Sequence, residues 1–323
     1  MKTYYIFSNG VLRRKENTIV FETSDNEKKF IPVENVEQIF VFGEVDFNNK
    51  FLNFIGQNNI CLHIFNYYGW YSGTFYPRET NISGTLIIEQ TKHYLDSEKR
   101  LILARKFVEG AIHNLKRNLE KRGIFKDEED KIKEYEKQIE KVENISKLMS
   151  LEAHVRKIYY DCFEKLTGWS FEERSIQPPK NPLNALISFG NSLVYSVILK
   201  EIYLTPLSPF ISFLHEPGER RYSLSLDVSE IFKPILSDKL ILKLIDLKMI
   251  NQDDFVKEMQ GVYLNEKGRK IFVEEFDKQL ETTILHRKLK KKVKYKTLIK
   301  LELYKIIKHL LEEKEYHPLK VWW

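Results

Sequence analysis

A chain of 323 residues with 42% hydrophobic, 13% aromatic and 30% charged residues has the balance of a globular protein of about two domains and excludes a disordered one. No stretch of about 18 apolar residues runs free of charge, which argues against a membrane span, and two cysteines, Cys61 and Cys162, are too few for a disulfide framework or a zinc cluster, so a reducing cytoplasm is the expected home. The net charge of +6 is uneven: Arg287, Lys288, Lys290, Lys291, Lys292, Lys294, Lys296 and Lys300 occur without an intervening acid, and subtracting these eight cations leaves −2 for the rest.

The apolar run Tyr4 to Phe7 is too short for a secretory signal. Tyr4 to Ser8, Val11 to Arg14 and Thr18 to Glu22 read as strands, with Asn9-Gly10 as a hairpin turn between the first two. Phe30 to Val33, Val36 to Phe42, Cys61 to Asn66, Trp70 to Tyr76 and Gly84 to Ile88 continue the strand pattern, and Phe51 to Gln57 reads as a short helix. The period changes near Tyr94. Leu101, Ala104, Phe107, Val108, Ala111, Ile112, Leu115 and Leu119 share one helical face, with Asp96 or Ser97 as its cap.

Lys126 to Glu143 carries both charge signs and few apolar residues, as in a solvated helix or hairpin arm. Leu148, Leu151, Val155, Ile158, Cys162 and Leu166 step by three and four along an amphipathic helix. Pro178, Pro179 and Pro182 stiffen a loop before a helix from Leu183 to Tyr203 that is apolar nearly all round and so belongs in the core. Further helices are expected around Val228 to Ile231, Lys239 to Leu247, Glu266 to Thr282 and Thr297 to Glu313. The fold class is α+β: a small β-rich domain, residues 1–90, followed by a larger all-α domain, residues 91–323.

The sequence holds no phosphate-binding glycine loop, no nucleophile elbow and no His-Glu-x-x-His. Of eight histidines, most fall in apolar or helical segments without acids nearby, and His63 reads as structural. His215 differs, because it sits in a Pro-Gly loop after an apolar approach, and such loops often carry function. Asp227 and Glu230, three apart on a helix, bring their Cβ atoms to roughly 5–6 Å. That spacing suits a divalent ion, or one ligand backed by a second carboxylate; a solvated helix edge is the plainer alternative. Glu152 borders an apolar stripe and either points into a site or makes an exposed i,i+4 pair with Arg156. Arg220 and Arg221 either clamp phosphate or balance Glu216 and Glu219. The run containing Arg287, Lys288, Lys290, Lys291 and Lys292 is a phosphate-binding surface, or else a solvated helix face or flexible arm.

These segments together are similar to the CRISPR-associated Cas1 integrase family. The likeness lies in Ile31-Pro32-Val33-Glu34-Asn35-Val36, Phe42-Gly43 and Gly69-Trp70-Tyr71, then Leu151-Glu152 through Arg156, then Pro178 through Leu193. It ends with Leu214-His215-Glu216, Arg221 to Leu224 and Leu226 to Pro234. The resemblance implies metal ligands at Glu152, His215 and Glu230, with Asp227 as an auxiliary acid whose replacement costs less than that of Glu230. It departs from the family at Ala153, where glycine is usual. It also implies a homodimer joined through the β-rich domains and a complex with the small partner Cas2.

One imidazole and two carboxylates suit Mg²⁺ or Mn²⁺, the imidazole favouring Mn²⁺. The expected function is a metal-dependent DNA endonuclease and integrase acting on prespacer and CRISPR repeat DNA. Two rivals are a non-catalytic nucleic-acid-binding scaffold and a metal-dependent phosphohydrolase of small substrates; the basic run favours a polymer substrate.

Overall fold

The computed structural model describes residues 2–77, 81–219, 222–258 and 260–323. Two four-stranded sheets form the amino-terminal part. The strands are β1 (Lys2–Ile6), β2 (Gly10–Lys15), β3 (Thr18–Thr23), β4 (Lys28–Pro32), β5 (Val36–Val41) and β6 (Val45–Phe47), followed after helix α1 (Asn49–Gln57) by β7 (Cys61–Phe65) and β8 (Tyr71–Phe75). One sheet has the order β1-β5-β7-β8 and the other β4-β3-β2-β6. Strand β5 alternates between two cores, as the two-residue period of a strand requires. Ile39 and Val41 join Leu12, Phe21, Phe51 and Ile55 between the sheets and α1. Phe40 and Phe42 face the helices instead, with Phe42 stacked on Phe65 and 5.8 Å from Phe189. Gly69 has φ +79, and a Cβ there would sit 2.9 Å from the Phe189 ring, so glycine permits both the turn and the close approach.

Helices follow from Gly84. They are α2 (Gly84–Leu95), α3 (Ser97–Glu120), α4 (Lys126–Gln138), α5 (Ile145–Thr167), α6 (Pro182–Tyr203), α7 (Ser223–Lys233), α8 (Lys239–Asp246), α9 (Glu266–Glu281) and α10 (Tyr295–Leu310), with a π-turn at Pro234–Asp238 between α7 and α8. Strands β9 (Phe255–Glu258) and β10 (Gly261–Leu264) form one antiparallel ribbon, and β11 (Thr283–His286) and β12 (Lys291–Lys294) another. Helix α6 starts cleanly because Asn181 caps the Asn184 N–H at 2.9 Å and Pro182 occupies the first turn. It is apolar and long enough to cross a membrane by composition, yet it lies mostly buried in the protein core.

The structure corrects the sequence reading in four places. Asn9-Gly10 is no hairpin turn: β1 pairs parallel with β5 in one sheet while β2 pairs with β3 in the other. The β2–β3 hairpin turns at Glu16-Asn17, with Glu16 at φ 52, and Asn9 instead accepts the Glu44 N–H at 2.9 Å. Gly84 to Ile88 is the first turn of α2, capped by Ser83. Its β-formers misled because Leu86, Gln90 and His93 form a buried helical face. The helical part also carries two ribbons, so it is not purely α. Finally, the basic run is neither helix face nor loose arm at its start; it forms the β11–β12 ribbon and the entry to α10.

The segment after α10 folds back across the helices. Tyr316 is fully buried and donates to Glu302 at 2.6 Å, which also accepts the Leu319 N–H at 3.0 Å. Asn114 of α3 is the junction. Its amide donates to the carbonyls of Ile231 and Leu319, each at 3.0 Å, and its oxygen accepts the Val321 N–H at 2.9 Å. One side chain therefore ties α3, α7 and the carboxyl-terminal segment. Replacing Asn114 with Ala leaves three buried backbone groups unpaired and should cost about 3 kcal/mol or more. The check is the denaturant midpoint of the purified variant, which should fall; an unchanged midpoint would show these groups are satisfied another way.

Candidate active site

Helices α5 and α7 and the loop before α7 converge on one charged cluster. Leu148, Leu151 and Val155 bury one face of α5, and this leaves Glu152 at the edge of that face with a side chain only 17% exposed. Val228, Ile231 and Phe232 anchor α7, and Glu230 is drawn in beside them at 6% exposure. Arg156, one turn after Glu152, joins the two helices. Its Nε donates to Glu152 Oε1 at 2.6 Å, its Nη2 lies 2.5 Å from the same oxygen, and Nη2 also bonds Glu230 Oε2. Lys233 donates to the other oxygen of Glu230 at 2.7 Å.

Asp227 organises the histidine. One of its oxygens accepts the backbone N–H groups of Phe213 (2.6 Å) and Leu214 (3.0 Å). The other accepts the His215 N–H at 2.9 Å and meets His215 Nδ1 at 2.9 Å. The loop closes further where Ser212 Oγ donates to the His215 carbonyl at 2.6 Å. With Nδ1 engaged, His215 presents Nε2 toward Glu230, 3.9 Å from Oε1. Burial works against a charged His215, but the Asp227 hydrogen bond and the charges of Asp227 and Glu230 outweigh it and raise its pKa. For Glu230, burial alone would raise the carboxyl; Lys233, Arg156 and His215 overcome it and hold it below the usual carboxylate range.

Behind the cluster lies Asp238, fully buried at the end of the π-turn. Among the described residues neither of its oxygens has a hydrogen-bond partner. Burial pushes its carboxyl up to about 7 against the pull of Arg156, Lys233 and Arg174.

Among the described residues no three acid, histidine or cysteine side chains already surround one point. The donors still fit a hard divalent ion, being two carboxylates and an imidazole with its Nε2 turned toward one of them. The two carboxylates already share a cation, Arg156. The exposed salt bridge expected for Glu152 is thus present but mostly buried, and it belongs to the site. Asp227 answers to the backing carboxylate of the sequence reading, since its oxygens are taken up by the loop and His215. Arg220 and Arg221 lie outside the described residues. Arg287, Lys288, Lys290, Lys291 and Lys292 are exposed on the β11–β12 ribbon, a separate element.

Sequence reasoning passed over Lys233 and Asp238 as site residues. Lys233 carried a signal, its i,i+3 spacing from Glu230. Asp238 carried another, a lone acid inside the apolar run Ile235 to Leu242.

The family of CRISPR associated protein Cas1 matches residues 4–278. A protein named CRISPR-associated endonuclease Cas1 2, from Moorella thermoacetica, is 57% identical with full coverage of both chains. A solved Cas1 protein from Thermotoga maritima is 42% identical, covers 99% of this chain and 100% of its own, and superposes with a TM-score of 0.90. The fold also recurs in a casposase bound to integration product, at 19% identity and TM-score 0.87, covering 98% of this chain and 93% of that one. A Cas6-RT-Cas1–Cas2 complex shares it at 16% identity and TM-score 0.86, covering this whole chain and 36% of the longer one.

Because Asp227 satisfies three backbone donors, its replacement should act first on folding, contrary to its lower ranking from sequence. Asp227→Ala is expected to lose about 3 kcal/mol or more, with partial recovery in Asp227→Asn, which keeps one acceptor oxygen. Urea unfolding followed by circular dichroism checks the order; equal midpoints for all three proteins would remove Asp227 from this role.

Proposed function

The chain belongs to the CRISPR-associated Cas1 family, and from that premise we propose that it is a metal-dependent DNA endonuclease and integrase of CRISPR spacer acquisition. The observation that carries the reading is that Arg156 bridges Glu152 and Glu230 while His215, fixed through Asp227, turns its Nε2 toward Glu230.

Glu152, Glu230 and His215 would hold Mg²⁺ or Mn²⁺, with Asp227 keeping Nδ1 occupied and the ring oriented. Such an ion, when bound, polarises a phosphodiester oxygen and makes an attacking hydroxyl or water more acidic. The protein's part is placement. A DNA 3′-hydroxyl held in line would attack a phosphodiester of the repeat, forming the new P–O bond as the repeat's own 3′-oxygen leaves and takes up a proton, and water in the same position would break the same bond and leave a nick. Lys233, on Glu230, supplies a positive charge beside the reacting phosphate. Arg220 and Arg221, close in sequence to His215, are proposed phosphate clamps.

The DNA backbone is proposed to lie along the β11–β12 ribbon, where Arg287, Lys288, Lys290, Lys291 and Lys292 are exposed. Lys294 and Lys296 contribute less, since Glu281 and Glu37 already pair with them. We also infer a homodimer through the amino-terminal sheets and a cytoplasmic complex with Cas2, the partner named for one protein of the same fold.

The test pairs prespacer DNA with a repeat substrate and supplies Mn²⁺, Mg²⁺ or EDTA, with Cas2 added in parallel. Glu152→Ala and His215→Ala should each lower strand transfer and cleavage at least about a hundredfold while still binding DNA; activity equal to the parent protein would refute the site. Changing Lys288, Lys290, Lys291 and Lys292 to Ala should weaken DNA binding and flatten its salt dependence by about 0.9 for each phosphate that is no longer neutralised. An unchanged slope would move the DNA to another surface.

A further inference from the structure

Arg156 occupies the two carboxylates that the proposed metal ion would take. It holds Glu152 Oε1 with two nitrogens and Glu230 Oε2 with one of them. A divalent ion between the two carboxylates would compete with the guanidinium that now shares them. Arginine cannot resolve the conflict by losing its proton, and here the acids around it raise its pKa further in spite of burial. A buried guanidinium without a counter-charge is strongly unfavourable, so it must find another anion.

The surroundings offer one. Tyr160 OH, 3.5 Å from Nη1, is a neutral and distant partner. Asp238 is fully buried, both its oxygens lack partners among the described residues, and Arg156 is the cation that pulls on it most. The neighbouring cations are already engaged. Lys233 is on Glu230, and Arg174 donates to Asn184 Oδ1 at 2.9 Å and Ser188 Oγ at 3.0 Å. A buried carboxylate without a partner is costly to keep, which points to a use in a second arrangement of the same side chains.

We propose that Asp238 is the alternative partner of Arg156, receiving its guanidinium when a divalent ion occupies Glu152 and Glu230. Asp238 is then a positioning residue. It touches neither ion nor DNA, and it sets how readily the ion displaces the internal cation. This rests on the metal-site reading above, deepens it, and is separable from it by measurement.

The experiment uses the full chain and Mn²⁺ alone, with free Mn²⁺ read by electron paramagnetic resonance. The parent protein should bind Mn²⁺, and Glu230→Gln should remove that binding. Asp238→Asn should weaken it about tenfold. Arg156→Gln should bind at least as tightly as the parent, because the competitor is gone, and adding Asp238→Asn to Arg156→Gln should change nothing. Equal affinity in Asp238→Asn and the parent would overturn the proposal. So would an equal loss in both backgrounds, which is the signature of a purely structural role. No Mn²⁺ binding by the parent, with Glu230→Gln indistinguishable from it, would instead sink the metal site itself. A second measurement does not depend on any variant folding: a crystal structure of the parent protein soaked with Mn²⁺ should place the Arg156 guanidinium within salt-bridge distance of Asp238. Arg156 still on both glutamates with the ion bound would refute the exchange.

Discussion

Two carboxylates from different helices, the half-buried Glu152 of α5 and the buried Glu230 of α7, repel each other unless a cation stands between them. Like charges about 4 Å apart in a protein of effective dielectric about 20 oppose each other by about 4 kcal/mol, a large share of ordinary folding stability. Arg156 supplies the cation from the same helix as Glu152, and Lys233 adds a second from the same helix as Glu230. Each helix therefore brings one acid and one base to the contact, and the junction of α5 and α7 is neutral without help from outside. The pairing ties α5 to α7 through Arg156, which bonds a glutamate on each.

The same need for partners governs the loop. Phe213, Leu214 and His215 present consecutive backbone donors in a largely buried stretch that belongs to no strand among the described residues. Asp227 takes all three and the imidazole as well. The loop conformation and the orientation of the ring are thus one decision, made by one residue at the start of α7. Asn114 then holds α7 from behind through the Ile231 carbonyl while anchoring the returning carboxyl-terminal segment. The tail ends with Trp323 donating to Tyr295 OH at 2.6 Å and Trp322 under Arg287, which links the base of the basic ribbon to the bracing of the site.

What could be read from sequence divides along a physical line. Helices α3 and α5 were legible because burial repeats every three to four residues, α6 because it is a long apolar run, and their caps, Asp96, Asn144 and Asn181, lie next to them. Strand partners were not. Asn9-Gly10 has the composition of a hairpin turn, but β1 gains more by joining β5 thirty residues on, against the helices, and no local signal records that choice. Gly84 to Ile88 failed because β-branched residues fit a helix once one face is buried. In the site, Glu152, His215, Asp227 and Glu230 were each visible as candidates from spacing or setting. Their roles were not, since whether an acid near the core accepts backbone N–H groups, as Asp227 does, or meets a cation, as Glu230 does, depends on which segment lies opposite. Asp238 marks the limit most clearly. That it is a lone acid in an apolar run shows in the sequence, but that it has no partner among the described residues shows only in three dimensions.

The distribution of charge places the exposed cations and the proposed catalytic cluster on different elements. The cations of the site, Arg156 and Lys233, are paired with its own acids, so the cluster exerts little long-range attraction on a polyanion. The ribbon carries the opposite arrangement, exposed cations with few acids in reach. Counterion release scales with the cations free to meet phosphates, so attraction is concentrated in β11–β12 while the site stays balanced. A site that attracted DNA by its own unpaired cations would lose that attraction, or gain repulsion for its ion, whenever the metal entered. Under the proposed reading, keeping the two kinds of charge on different elements would let the carboxylates exchange Arg156 for a divalent ion without loosening the hold on DNA.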